Sequence, residues 1–319
     1  MKTFPELVDL ARKGSENVDF SDSTGIQDVE FYQFLTDAHR RLESVIHGKH
    51  QRALTKIKVQ SVAAFSETVD IPIDCYMNNR IILLEVGQTS SPDTFYTLKK
   101  GSIQERYSGI SGHPVYYIRL GGQIILKPKL SIASNIRWTY QLALPSADKK
   151  RGKIESLTVD TTTRTITALK LDPTATDGVL DVDNLNQQQY ITVVGRDGTV
   201  KLKKLEITSV DDDGTVNIYN GSHVYDDDES LAVGDFVCSG WYSSFRSQLP
   251  DICERYLLAY AVMKAHKRDS NIDISESIQE LQAMEEDIAM SFAEPDSDVD
   301  YVPILDSQFI GVEHERGFY

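Results

Sequence analysis

The 319-residue chain is poor in cysteine: only Cys75, Cys238 and Cys253 occur, far apart and odd in number. They supply neither a C-x-x-C pair nor a disulfide framework. A disulfide-stapled scaffold and a paired-cysteine zinc site are therefore excluded, and assembly in a reducing cytosol is expected. Long apolar runs are missing too. The longest, Tyr256–Met263, falls far short of the ~20 residues that span a bilayer. The opening Met1-Lys2-Thr3-Phe4-Pro5-Glu6 leads into charges rather than an apolar h-region, so no signal peptide is expected. There is no fixed repeat of the kind that builds a solenoid. No Walker A, dinucleotide fingerprint or H-E-x-x-H occurs, which removes the commonest nucleotide and zinc chemistries.

Basic residues are outnumbered, 33 Lys+Arg against 48 Asp+Glu, for a net charge of −15. Such a surface argues against a general nucleic-acid binder, because phosphate binding needs a basic footprint. The imbalance is local. Residues 1–151 hold 20 basic and 16 acidic side chains, residues 152–240 hold 7 and 16, and residues 241–319 hold 6 and 16. Segments so different in charge face different neighbours.

What is present is ordinary for a folded protein: 40% hydrophobic and 25% charged residues, in a chain long enough for about two domains. A capping box, Thr3 with Glu6, opens a helix that should stop at Gly14. Phe31, Leu35, Ala38, Leu42 and Val45 recur at spacings of three and four and predict an amphipathic helix ending at Gly48. From Thr55 the period becomes two. Ile57 and Val59 alternate with Lys56 and Lys58, the pattern of a half-buried strand. Strands are predicted at Ile81–Val86, Phe95–Leu98, Val115–Leu120, Gln123–Lys127 and Ile136–Leu144, with Gly121-Gly122 as a hairpin turn.

Residues 152–240 read as an all-β unit, a small barrel or sandwich. Its strands are Ile154–Val159, Thr165–Leu169, Tyr190–Val194, Thr199–Leu202, Leu205–Val210 and Val216–Tyr219, punctuated by Gly/Asp turns. Helix returns after Pro250, and a second helix opens at Asp273 and stops before Pro295. Residues 296–319 show no period but contain Tyr301, Val302, Ile304, Leu305, Phe309, Ile310, Phe318 and Tyr319. That apolar content suggests an extended arm that docks on a partner.

Candidate chemistry is thin. Gly109-Ile110-Ser111-Gly112-His113 lacks the last glycine of a nucleophile elbow and reads as a polar turn. His47 and His50 sit at a helix end beside Lys49 and Arg52, where they complement the dipole. Asp181, Asp183 and Asn184 miss the glycine and closing glutamate of a calcium loop. Asp211–Asp213 and Asp226–Glu229 read as solvated hairpin tips rather than cation sites. Arg40, Arg41, Lys49 and Arg52, continued by Lys56 and Lys58, form a basic cluster without interleaved aromatics. It reads as a solvated helix face or as a contact with an acidic surface of a neighbouring subunit. No catalytic, cofactor or metal residue is therefore expected, and the protein is not expected to be an enzyme.

The order of elements carries one further signal. Phe34-Leu35-Thr36-Asp37-Ala38-His39-Arg40-Arg41-Leu42 leads to Tyr116-Tyr117-Ile118-Arg119-Leu120-Gly121-Gly122-Gln123-Ile124-Ile125-Leu126-Lys127-Pro128, then to Ile136-Arg137-Trp138-Thr139-Tyr140. Leu249-Pro250-Asp251-Ile252-Cys253-Glu254-Arg255-Tyr256-Leu257-Leu258-Ala259-Tyr260-Ala261 follows. This layout resembles the head-to-tail adaptor (connector, or neck) proteins of tailed bacteriophages over roughly residues 24–150 and 245–295.

The resemblance implies an α+β fold, a helical bundle with a small β-hairpin element. The all-β segment 152–240 would interrupt it as an inserted domain of barrel or sandwich type. Residues 1–151 and 241–295 would form the split adaptor domain and 296–319 the docking arm. It implies a structural virion protein, assembled in the host cytoplasm into a ring, typically of twelve subunits. That ring would join the portal protein to tail or nozzle proteins at the neck and let DNA through without binding it. Tyr301, Ile304, Leu305, Phe309, Ile310, Phe318 and Tyr319 would dock on the portal. No cofactor and no membrane are implied. The alternative is a β-rich binding module, a virion decoration or a carbohydrate- or surface-binding protein.

Overall fold

The computed structural model describes residues 1–15, 26–50, 52–78, 80–89, 94–102, 111–225, 230–268 and 273–293. In chain order the helices α1 (Phe4–Gly14) and α2 (Asp28–Lys49) come first. Eleven strands follow: β1 (Thr55–Val62), β2 (Thr68–Asp70), β3 (Ile81–Gln88), β4 (Phe95–Thr97), β5 (Lys99–Lys100), β6 (Ser111–Gly112), β7 (Tyr116–Leu120), β8 (Gln123–Lys127), β9 (Lys129–Leu130), β10 (Ser134–Gln141) and β11 (Ser146–Ala147). Next are β12 (Gly152–Asp160), β13 (Thr165–Leu171), α3 (Val182–Asn186), β14 (Tyr190–Val194), β15 (Val200–Val210), β16 (Thr215–Ile218), β17 (His223–Val224), β18 (Phe236–Ser239) and β19 (Ser243–Ser244). The helices α4 (Glu254–Arg268) and α5 (Ser275–Ser291) complete the described chain.

The expected class is overturned. The molecule is mostly β, with a closed six-strand barrel and five α-helices among the described residues, and no helical bundle interrupted by an inserted β domain is seen. The segment read as a small β-hairpin element is in fact two open sheets. One runs in the order β1-β10-β3-β4 and the other β2-β8-β7-β5. They close on one core in which Trp138 and Tyr140 are fully buried against Leu84, Val86, Val69, Ile124 and Leu126. Strands as short as Thr68–Asp70 and Lys99–Lys100 carry too few residues for a period to show, so the strand content was underestimated.

In the barrel, antiparallel neighbours run β12-β18-β14-β15-β16-β13, and β13 pairs back onto β12. The two strands predicted at 199–202 and 205–210 are one bent strand, β15. Lys204 has φ of +55°, and the pairing with β14 steps from Ile191↔Leu205 to Val193↔Leu202. Such a bulge bends and twists a strand, which lets β15 serve β14 and β16 at once and close the ring. The interior is filled by Leu202, Leu205, Ile207, Val193, Val237 and others, with Leu185 of α3 buried in the same cluster. At the Asp211–Gly214 turn, Gly214 has φ of +86° and a Cβ there would lie 1.9 Å from the Leu171 carbonyl oxygen, so only glycine fits.

Four helices share a separate apolar core: Phe4 and Leu7 of α1, Phe31, Leu35 and Leu42 of α2, Tyr256 and Leu257 of α4, and Leu281 and Ile288 of α5. The α1 capping box is formed, with the Thr3 N–H donating to Glu6 Oε2 at 2.8 Å.

Candidate assembly surface

The sheet β1-β10-β3 has an inner and an outer face, and the ladder assigns each residue. Lys58 lies opposite Trp138, which lies opposite Leu84; this row points inward. Ile57 lies opposite Thr139, which lies opposite Leu83; this row points outward. The strand predicted from Ile57 and Val59 therefore exists with its faces reversed. Lys58 is buried at 8% exposure, while Ile57 is 64% and Val59 36% exposed. The inner face is polar at this strand because the large rings of Trp138 and Tyr140 already fill the core. Lysine stems can lie along such rings while the ammonium reaches a polar partner.

For Lys56 that partner is Asp74, which is 1% exposed. Its carboxylate accepts from Lys56 Nζ at 3.2 Å, from Lys203 Nζ of β15 at 2.6 Å and from the Tyr140 hydroxyl at 2.8 Å. Burial pushes the Asp74 carboxyl up, but the two ammonium groups and the hydroxyl outweigh it and hold it down at about 2. The node joins the barrel to the open sheets.

The outer face carries Ile57, Val59, Leu83 at 37% exposure and Ile82 at 43%. Ile82 sits where the β10–β3 pairing shifts, between Thr139↔Leu83 and Tyr140↔Ile81. The charges in the middle of the face neutralise each other. Arg137 donates to both oxygens of Glu85 at 2.7 and 2.8 Å and stacks over the Phe95 ring at 4.2 Å. Thr139 and Arg137 of the central strand lie between Ile57 and Val59 on one side and Ile82 and Leu83 on the other, so the face carries two short exposed aliphatic pairs around a polar centre.

The other buried ionisable groups hold the fold. Along one face of α2, Thr36, His39, Glu43 and His47 clasp the backbone of residues 142–147. The Ala147 N–H donates to Thr36 Oγ1 at 2.9 Å, and the Leu144 N–H donates to Glu43 at 2.7 Å. His39 Nδ1 donates to the Pro145 carbonyl at 3.1 Å, so its Nε2 accepts from the Ser247 hydroxyl at 2.7 Å. His47 Nε2 donates to the Leu142 carbonyl at 3.1 Å. Burial holds the His39 pKa down at about 4 and raises that of Glu43 to about 7. Nearby, Asp148 accepts from Arg151 and from both the N–H and hydroxyl of Ser239, and Arg151 also donates to Asp181 at 2.8 Å.

The residues singled out in the sequence do not converge. Arg40, Arg41, Lys49 and Arg52 are all exposed. Arg41 forks onto Glu285 of α5 at 2.9 Å through two nitrogens. Lys49 borders a shallow groove with Glu286, and Arg52 lies in the turn before β1. Of the proposed histidine pair, His47 is buried and stacked on Tyr76 at 4.6 Å. Asp181 caps α3, and Asp213 accepts from Thr215 within its turn. Ser111 lies on β6, far from the strand-to-helix turn of a nucleophile elbow. Gly109, Ile110, Asp226–Glu229 and the docking residues Tyr301, Ile304, Leu305, Phe309, Ile310, Phe318 and Tyr319 lie outside the described residues. Among the described residues no group of three or more His, Cys, Asp or Glu could hold a metal, and no helix is long and apolar enough to cross a membrane.

The sequence concealed the outer face. Ile81–Leu84 is an unbroken apolar run, and nothing in it marks Ile82 and Leu83 as facing out. No protein-family model matches the chain, and no curated protein matches it.

Proposed function

We propose that the protein is a structural component that assembles through its open β-sheet into a ring, and that this ring joins the portal vertex of a tailed-phage capsid to its tail. The observation that carries the reading is the outward exposure of Ile57, Val59, Ile82 and Leu83. Four large aliphatic side chains on one sheet face are costly to hydrate and gain free energy when a partner covers them, roughly 25 cal/mol per Å². The residue pattern of the adaptor resemblance gives the assembly its identity. The mostly-β fold removes the helical frame that resemblance implied, so the reading rests on the pattern and on this surface. In such a ring the protein is a conduit, and its net charge of −15 repels passing DNA rather than gripping it.

Electron microscopy and sedimentation of the full chain, alone and with its cognate portal protein, test the reading. Rings or ring-shaped complexes are expected. A chain that stays monomeric and ignores the portal refutes it.

The closed barrel favours a second reading as a surface-binding module. Tyr219 and Trp241 are each 50% exposed, as the sugar-stacking rings of such a module would be. A glycan array probed with the full chain separates the two, since the neck reading expects no binding.

A further inference from the structure

The face just described has a basic border. Arg52 precedes β1 and Arg80 precedes β3, and both are exposed. The ladder sets the starts of these strands beside the end of β10 that lies between them, with Thr55↔Gln141 and Ile81↔Tyr140. Burial lowers the His47 pKa and the Arg80 charge adds to that shift, and Lys49 stands at the α2 C-terminus that ends beside His47. The exposed Met77 (63%) precedes Arg80 by three residues. The carboxylates on this side are committed: Asp74 is buried among lysines, Glu85 is paired with Arg137 and Glu43 is inside. Glu286, beside Lys49, is an exception among the described residues. A face with exposed aliphatic pairs and arginines at one end fits a segment that is apolar and acidic.

The chain itself contains such a segment. Residues 294–319, outside the described part, carry seven acidic residues against one arginine, around the apolar Tyr301, Val302, Ile304, Leu305, Phe309 and Ile310. Twenty-six residues reach at most on the order of 85 Å when extended, enough to leave one subunit and lie on the next. We infer that the C-terminal segment of one copy docks on the outer face of the β1-β10-β3 sheet of a second copy, its apolar residues over Ile57, Ile82 and Leu83 and its carboxylates toward Arg52 and Arg80. The choice of a second copy rests on the ring reading above. A head-to-tail contact made by every subunit gives a ring where the rotation between subunits closes and a filament where it does not, and an arm-on-sheet contact is of that heterologous kind.

Disulfide trapping with full-length chains tests the docking. One preparation carries Leu83→Cys and the other Ile304→Cys; the three native cysteines are buried and do not compete. Mixing under mild oxidation is expected to give a mixed disulfide dimer. Its yield should drop at least about fivefold when Arg52→Glu and Arg80→Glu are added to the first chain, and should fall with salt. Circular dichroism checks that these exposed substitutions leave the fold intact. A yield no higher than that of a Val179→Cys control overturns the inference, as does indifference to charge reversal. With both cysteines in one chain, a link formed only within that chain also overturns it. Rings without the cross-link remove the docking and leave the ring reading standing; cross-linked pairs that never close into rings or bind a portal remove the ring reading and leave the docking.

Discussion

The two β regions solve the same problem in opposite ways. The barrel of Gly152–Ser239 pairs its last strand with its first, so its ring presents no open edge, and Val193, Leu202, Leu205, Ile207 and Val237 fill its interior. The sheets of Thr55–Gln141 stay open, bury one aromatic-rich face and leave Ile57, Val59, Ile82 and Leu83 outside. A closed sheet is complete in one chain. A closed ring leaves no free edge, whereas the open sheets keep an outer face with exposed aliphatic side chains, which is where the proposed assembly contact lies.

The largest effect should come from cutting the node that ties the two regions together. Asp74→Ala leaves the ammonium of Lys203, 8% exposed at its side chain, without its carboxylate. The expected loss is about 3–5 kcal/mol, read by urea unfolding at pH 7. Replacing both partners, Asp74→Leu with Lys203→Met, should recover most of it. A loss below about 1 kcal/mol would mean that the barrel and the open sheets are held together by other contacts.

A smaller effect sits where the helices meet the strap between the two regions. Glu43 has a folded pKa raised from 4.5 to about 7, so the folded state holds its proton longer and stability falls as pH rises through that range. His39 has a folded pKa lowered from 6.5 to about 4, so stability rises with pH over nearly the same range. His47, lowered by burial as well, adds to the histidine side. The Glu43 and His39 slopes oppose each other, so between about pH 4.5 and 6.5 the wild type should climb with pH only by what His47 adds. Glu43→Gln keeps an acceptor for the Leu144 N–H and removes one slope. Its stability should climb with pH across that window and exceed wild type by about 2–3 kcal/mol above pH 7. A variant with an unchanged profile would show that Glu43 is not protonated in the fold.

The smallest effect on stability should accompany the largest on assembly. Ile57→Ser with Leu83→Ser touches only the outer face, and unfolding free energy should move within about 0.5 kcal/mol. The same double variant should lose oligomer mass in sedimentation. Should it fall apart in urea yet assemble normally, the face belongs to the core of the fold rather than to a partner.

Much of the local structure was legible. The Thr3–Glu6 box, the α2 stripe of Phe31, Leu35, Ala38 and Leu42, the hairpin at Gly121-Gly122 and most barrel strands follow from backbone preferences and apolar period. The class was not, because the helical frame was taken from the adaptor resemblance while the period itself predicts twelve strands, and the two- and three-residue strands that complete the open sheets show no period. The candidate site was less legible still. Its basic neighbours Lys49 and Arg52 stood out, but Arg80, Ile82 and Leu83 became neighbours only through strand register.

Caps, turns and alternation act within a few residues, so the long helices and most of the longer strands follow from the sequence alone. Only the tertiary structure decided which way β1 faces. Alternation says that Ile57 and Lys58 point to opposite sides, yet it cannot say which side is the core. Trp138 and Tyr140, some eighty residues away, filled that core, and the carboxylate of Asp74 waited inside for the lysines. With the rings in place the strand turns Lys56 and Lys58 to that side, and Ile57 is left on the outside.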